Sequence, residues 1–139
     1  MRILFTLALG VGIGAAGMEA VQQNTKPNVK LVVKRDIAEK VDGKETAASV
    51  VEVTLEPGQQ SPPHRHPGPV FGYVLEGQYE HAIDDQPSKM LKVGDTFYEP
   101  TNCLHRVSKN PAATGKTRVL AVLLLPRDAK ALSVPEAKK

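Results

Sequence analysis

Two histidines, His64 and His66, are separated by a single residue in the segment HRHPGPVFGYVLEG at residues 64–77. On an extended strand, side chains two residues apart point to the same face, so both imidazoles can reach one metal ion. A third imidazole from a distant strand, that of His105, would complete one face of a divalent metal and leave positions open for water, substrate or dioxygen. Three histidines without thiolates suit iron, manganese, nickel, copper or zinc, and the sequence does not choose among these metals.

The segments that carry these histidines belong to a chain in which apolar residues alternate with polar ones. Apolar residues recur at every second position in runs such as 51–55 and 91–93, and turn signals such as Pro57-Gly58 and Gly94-Asp95 separate the runs. Strands and turns at intervals of about ten residues predict an antiparallel sandwich or barrel. A chain of 139 residues suffices for one such domain. Only residues 37–45 and 129–139, both short and charged, could be helical.

The histidines and several turn residues fall into two longer patterns. The residues that match the fixed positions of GxxxxxHxHxxxExxxxxxG and then of GxxxxxPxGxxHxxxN are Gly58, His64, His66, Gly77, Gly94, Pro100 and His105. These are the two motifs of the cupin superfamily, so the sequence resembles a cupin over residues 58–110. Asn102 replaces the usual glycine of the second motif, which is a mild departure because asparagine tolerates the left-handed backbone conformation. Asn110 comes one residue later than the family's asparagine.

The resemblance implies an all-β fold, a double-stranded β-helix that forms a single cupin jelly-roll barrel. In the family, the mouth of this barrel holds a mononuclear metal, which here implies His64, His66 and His105 as ligands. The resemblance also implies a homodimer, because small jelly rolls of this kind often pair through sheet edges, and free edges are a liability.

The first motif departs from the family at its glutamate, where this sequence has Val70, a residue that cannot bind a metal. Three interpretations remain open. Three histidines can suffice, with one more open coordination position. Alternatively, Glu99, which shares a strand face with Phe97 and directly precedes Pro100, supplies a carboxylate as ligand or catalytic group, since a carboxylate in an apolar barrel needs such a partner. In the third interpretation, metal binding has been lost and the pocket holds a small ligand without chemistry.

A substrate pocket is expected around this centre. Its predicted lining residues are Val70, Tyr73, Phe97 and Cys103. Cys103 shares the side of His105 if the strand has already begun there, and otherwise fills the preceding loop as a small apolar residue. His81 is interpreted as a partly exposed polar residue of a strand.

The N-terminus has the features of a secretory signal. Arg2 provides a positive start, residues 3–14 are apolar, and small residues follow, which predicts a signal peptide over residues 1–17 with cleavage between Gly17 and Ala20. The apolar run is shorter than the ~20 residues of a spanning helix, so we expect an exported protein, periplasmic or secreted, without a stable membrane span. An uncleaved N-terminal anchor is the alternative. The remaining divisions are an N-terminal arm at 18–29, the barrel at 30–126 and a polar tail at 127–139.

Charge and composition narrow the function further. The net charge of +3 arises from charges of alternating sign, which argues against nucleic acid as a partner. A single cysteine excludes an internal disulfide framework, and neither GxSxG nor a phosphate-binding glycine loop is present. The expected function is that of a metal-dependent enzyme acting on a small molecule, and the resemblance to quercetin-dioxygenase-like cupins implies an oxygenase. A non-catalytic protein that binds a small ligand, or an isomerase-like enzyme that uses the metal as a Lewis acid, is the alternative.

Overall fold

A computed structural model describes residues 26–137 of the chain. The predicted signal peptide, most of the predicted arm and the last two residues of the tail lie outside the described residues. Within them, the chain forms ten strands, and no helix long and apolar enough to cross a membrane is found. The strands are β1 Asn28–Val41, β2 Lys44–Leu55, β3 His64–Arg65, β4 Val70–Glu76, β5 Gln78–Ile83, β6 Lys89–Lys92, β7 Thr96–Glu99, β8 Leu104–Lys109, β9 Thr117–Pro126 and β10 Val134–Pro135.

The strands form two five-stranded antiparallel sheets, in the orders β1-β2-β9-β4-β7 and β10-β3-β8-β5-β6. Their inner faces meet in an apolar core, because Tyr79 of the second sheet packs with Leu55, Val74 and Val119 of the first. His64 lies on β3 of the second sheet and His66 lies in the loop that follows β3, whereas Val70 lies on β4 of the first sheet. The prediction of an all-β fold of antiparallel strands is confirmed.

Alternation along β4 and β7 decides which side chains enter the space between the sheets. On β4, Val70, Gly72 and Val74 are buried, whereas their chain neighbours face outward. The pairing of β4 with β7 places Phe97 directly opposite Gly72. A Cβ atom on Gly72 would lie 1.9 Å from Cζ of Phe97, so the absence of a side chain lets the aromatic ring lie across β4.

Residues 37–45, for which the sequence allowed a helix, form a β-hairpin instead. β1 and β2 are joined by the two residues Asp42 and Gly43, whose φ angles of 50° and 72° are both positive. Positive φ at both central positions is the geometry of a tight hairpin turn that matches the twist of the flanking strands. Pairing with β2 therefore overrides the weak local preference of this charged segment.

Strands also occur outside the predicted barrel, residues 30–126, at both of its ends. β1 begins at Asn28, inside the predicted arm, and β10 lies inside the predicted polar tail. Val134 of β10 pairs with Arg65 of β3, and the Arg65 guanidinium donates to Glu136 at 2.8 Å. The C-terminal segment is thus attached to the strand that carries the first motif histidine.

Candidate metal centre

Three histidines of the two motifs converge at one end of the space between the sheets. His64 of β3 is directly opposite His105 of β8, and their ring centroids are 4.8 Å apart. The His66 ring lies 4.9 Å from that of His64 and 6.4 Å from that of His105. One ligand atom from each of the three rings lies within 4.8 Å of the others, a spacing that can hold a metal ion.

Two of these rings are oriented by backbone carbonyls. His64 Nδ1 donates to the carbonyl of Pro62 at 2.7 Å, and His66 Nδ1 donates to the carbonyl of Leu132 at 2.7 Å. When Nδ1 carries the proton of a neutral imidazole, Nε2 keeps a lone pair for a metal. Such outer contacts fix the tautomer and the orientation of metal-binding histidines. Leu132 performs this role from the segment predicted to be a polar tail.

The third ring is oriented by a buried hydroxyl. The Tyr79 hydroxyl donates to Ser108 Oγ at 2.9 Å, and His105 Nε2 lies 3.3 Å from the same tyrosine oxygen. Because the tyrosine proton is directed to Ser108, the phenolic oxygen is available to accept the Nε2 proton of His105. That arrangement leaves the lone pair of His105 on Nδ1.

Glu99 brings a carboxylate to the same cluster. It is the last residue of β7, directly before Pro100, and only 1% of it is exposed. Its Oε2 lies 3.7 Å from His66 Nε2, and its Oε1 lies 3.1 Å from His105 Nδ1. On the opposite strand its partner is Val70, the residue that stands in place of the motif glutamate. The carboxylate therefore reaches the cluster from the strand beside the one on which the motif would place it.

The protonation states of the cluster suit metal ligation. Burial lowers the pKa of His105 to about 3, and burial also lowers the pKa of His66. Burial alone would raise the pKa of Glu99, but the hydrogen bond from His81 and the nearby rings of His105 and His66 outweigh it, so the pKa lies below its usual value. At neutral pH these two imidazoles are neutral and the carboxylate is ionised, which are the states that bind metals.

Two atoms of the cluster have unsatisfied hydrogen-bonding capacity. Among the buried side-chain nitrogens and oxygens of residues 26–137, Glu99 Oε2 and His105 Nδ1 have no hydrogen-bond partner. An unsatisfied buried polar atom costs about 1–3 kcal/mol. His105 Nδ1 faces Glu99 Oε1 at 3.1 Å without hydrogen-bond geometry. A divalent cation would accept both lone pairs, and three imidazoles with one carboxylate form a donor set that suits iron, manganese, nickel, copper or zinc.

A fourth histidine joins the cluster, and the interpretation of His81 as partly exposed is wrong. His81 is 5% exposed, and its Nε2 lies 3.3 Å from Glu99 Oε1. On β5 it shares the inner face with Tyr79 and Ile83, both of which are buried. The period of two that starts at Tyr79 is the sequence signal that could have placed it there. With Glu99 and His105, it forms a second, fully buried set of possible ligands.

A cavity of about 450 Å³ lies beside the cluster. The histidines of the motifs, Glu99, and the predicted pocket residues Val70 and Phe97 all line it. The first sheet also contributes the apolar lining residues Val51, Val53, Val119, Ala121 and Leu123. Segments near both ends of the described chain, represented by Val29 and Leu132, complete the wall.

Two predicted pocket residues do not line this cavity. Tyr73 is 43% exposed, because the pairing register of β4 directs Gly72 inward and Tyr73 outward. Cys103 is buried, but it precedes the first residue of β8 and lies in the loop, as in the alternative interpretation of this residue. Burial, together with the nearby carboxylate of Glu99, raises the pKa of its thiol to about 11. The loop residue Asn102 adopts the left-handed conformation expected for the motif glycine, with φ 65°.

Comparison with protein families identifies the class of protein to which this chain belongs. Residues 51–123 match the cupin domain family, so the chain belongs to the cupins. A comparison with curated proteins finds no match.

Solved structures share this fold at low sequence identity. An uncharacterized conserved protein with a double-stranded β-helix domain from Klebsiella pneumoniae has a TM-score of 0.62 and 21% identity, over 83% of this chain and 88% of that chain. The DMSP lyase DddQ from Ruegeria pomeroyi has a TM-score of 0.59 and 17% identity, over 81% of this chain and 54% of that chain. A putative mannose-6-phosphate isomerase from Ralstonia eutropha has a TM-score of 0.56 and 18% identity, over 72% and 85%. At such identities the likeness establishes the fold alone.

Proposed function

We propose that this cupin is a metal-dependent oxygenase that acts on a small molecule and holds a divalent transition metal with His64, His66, His105 and Glu99. The observation that carries the proposal is the pair of buried atoms without hydrogen bonds, Glu99 Oε2 and His105 Nδ1, beside two histidines whose Nδ1 atoms donate to backbone carbonyls. A buried carboxylate of this kind requires a charged or hydrogen-bonding partner. A bound metal would supply a partner for both Glu99 Oε2 and His105 Nδ1. This favours the interpretation in which Glu99 replaces the motif glutamate.

When bound, the metal supplies the capacity to activate dioxygen or to polarise an oxygen-bearing substrate. The chain supplies the binding and the exclusion of water. Val51, Val119 and Leu123 form an apolar surface for the body of the substrate. A cavity of about 450 Å³ limits that substrate to a small molecule, within the range of ordinary ligand pockets.

The fold does not choose this reaction, because structures of the same fold are described as a lyase and as an isomerase. What supports oxygenase chemistry is the surroundings of the donor set: His64, His66, His105 and Glu99 line the apolar cavity, so a metal held by them would be accessible to dioxygen and to a substrate in that cavity.

Metal analysis of natively purified protein, followed by oxygen-electrode measurements, tests the proposal. Iron-loaded and manganese-loaded protein is assayed against a panel of enols and flavonols, with Glu99→Gln as the matched variant. We expect about one metal per chain and oxygen uptake for the native protein, and loss of both for the variant. Metal binding with substrate isomerisation and no oxygen uptake would favour Lewis-acid catalysis. A metal-free protein that is silent across the panel would favour non-catalytic ligand binding.

We propose that the protein is a homodimer that pairs through β1. This strand is at the edge of its sheet and carries the exposed apolar residues Val29, Leu31, Val32 and Val33. An exposed, long and apolar edge strand offers unpaired backbone groups to a second chain. Size-exclusion chromatography with light scattering should give a dimer for the native protein and a monomer for Leu31→Lys/Val33→Lys. A monomeric native protein at micromolar concentration would contradict the proposal.

We also propose that the protein is exported to the periplasm or secreted, on the evidence of the N-terminal sequence alone. The mass of the protein recovered from cells that carry the full-length gene should correspond to a chain that begins between residues 18 and 21. An intact N-terminus in the cytoplasmic fraction would contradict it.

A further inference from the structure

His81 is a buried histidine that neither cupin motif contains, and it contacts the proposed carboxylate ligand. Its Nε2 is 3.3 Å from Glu99 Oε1, and 7% of its side chain is exposed. An ionised carboxylate can only accept hydrogen bonds, so Nε2 of His81 is the donor in this contact. Glu99 Oε1 is thereby engaged, while Glu99 Oε2 remains without a hydrogen bond on the side of His66.

The ring of His81 is itself fixed by packing. The Phe97 ring lies 4.5 Å from it at an interplanar angle of 32°, and Phe97 is the residue that crosses β4 at Gly72. A Cβ atom on Gly72 would clash with Phe97, so the glycine, the phenyl ring and the imidazole form one contiguous stack that ends at the carboxylate. Side chains whose rotamers are held in this way can orient a ligand of a metal.

We propose that His81 is a positioning residue, which holds Glu99 so that only its Oε2 atom faces the metal site of the three motif histidines. This inference rests on the proposed metal centre. It explains how a carboxylate from β7 can replace one from β4: the adjacent strand supplies the charge, and β5 supplies the hydrogen bond that selects the oxygen. His81 could instead belong to a second set of ligands with Glu99 and His105, and the experiment must separate positioning from ligation.

The experiment uses Co²⁺ as the probe, because its visible absorption reports the number and kind of ligands. His81→Phe keeps an aromatic ring beside Phe97 but removes the donor, whereas His81→Gln keeps an N–H group near the position of Nε2. Co²⁺ affinity is measured by competition with a chelator, and the spectra are compared with that of Glu99→Gln. Leu125→Val, a change at a buried residue that does not line the cavity, controls for a general loss of stability.

We expect His81→Phe to bind Co²⁺ about 10–100-fold more weakly than the native protein, as is usual for outer contacts of metal ligands. Its spectrum should shift toward that of Glu99→Gln, and His81→Gln should restore most of the affinity. Adding His81→Phe to Glu99→Gln should cause little further loss, because both changes remove the same interaction.

Three results with the His81 variants would overturn the inference. The first is native Co²⁺ affinity and a native spectrum in His81→Phe. The second is a loss of affinity in His81→Gln as large as in His81→Phe, which would indicate direct ligation, and the third is full additivity of His81→Phe with Glu99→Gln. If Leu125→Val weakened binding as much as His81→Phe, the effect would be structural and the inference would also fall. Failure of the native protein to bind Co²⁺ would reject the metal centre itself, which is a different outcome from loss of the His81 effect alone.

Discussion

Moving the carboxylate from residue 99 to residue 70 is a direct test of the proposed ligand set. Glu99→Val removes the carboxylate, and Val70→Glu in the same chain returns it at the position of the cupin motif. The two residues are direct partners on β7 and β4, and they are 1% and 2% exposed. Cβ atoms of directly opposed residues are about 4.5–5.5 Å apart, so a glutamate at either position can extend into the same cavity.

The expected loss of metal affinity in Glu99→Val follows from the proposed role of Glu99 as a ligand. Loss of an outer contact to a metal ligand costs 10–100-fold in affinity, so loss of the ligand itself in Glu99→Val should cost at least about 100-fold, or about 2.7 kcal/mol. The exchanged protein contains one valine and one glutamate in the pair, as the native chain does, so the total volume is conserved. We expect its affinity to recover to within about tenfold of native, the remaining loss reflecting the missing hydrogen bond to His81.

Affinity for Mn²⁺ and Co²⁺ is measured by chelator competition on the native, Glu99→Val and exchanged proteins, with thermal unfolding as the control for folding. Val70→Glu alone is the matched variant: it places two carboxylates side by side and should lower the melting temperature, since like charges in a buried site repel. Native affinity in Glu99→Val would show that Glu99 is no ligand. A folded exchanged protein without recovery would refute the equivalence of the two positions.

Three further predictions concern other parts of the molecule. Gly77→Ala should lower the free energy of unfolding in urea by about 2–4 kcal/mol, because φ is +74° and a Cβ atom would lie 2.3 Å from the Lys116 carbonyl oxygen. Gly115→Ala, with φ +80° but open space around the Cβ position, should lower it by only about 1–2 kcal/mol, and equal losses in the two variants would contradict this prediction. Cys103, 8% exposed, should react with a disulfide reagent far more slowly in the native than in the urea-unfolded protein, and similar rates would place it at the surface. Tyr73→Ala should change Co²⁺ binding by no more than about 0.5 kcal/mol, since the ring is on the outer face, and a larger loss would return Tyr73 to the pocket.

Sequence periodicity predicts the elements well where strands are long and their inner faces are apolar. In β2, apolar residues occupy every second position from Val51 to Leu55 in the sequence, and both of these residues are buried. It fails for β10, since two residues carry no period, and the contact of Leu132 with His66 therefore could not be foreseen. Alternation also does not say which phase faces inward: on β4 the small residue Gly72 faces the core and Tyr73 faces outward, because Phe97 needs the space on the inner side.

The site illustrates a related limit of sequence motifs. A motif records spacing along one strand, whereas a cavity in a barrel is formed by neighbouring strands. In this sheet Val70 has a directly opposed partner on each neighbouring strand, Leu123 on β9 and Glu99 on β7, and their side chains share a face. A carboxylate lost from the motif position can therefore be supplied by such a partner, provided that another residue fixes its orientation. Glu99 occupies the partner position and His81 contacts its oxygen, so the departure at Val70 is compatible with an intact metal site. The residue opposite a missing ligand is accordingly the first place to look for its replacement.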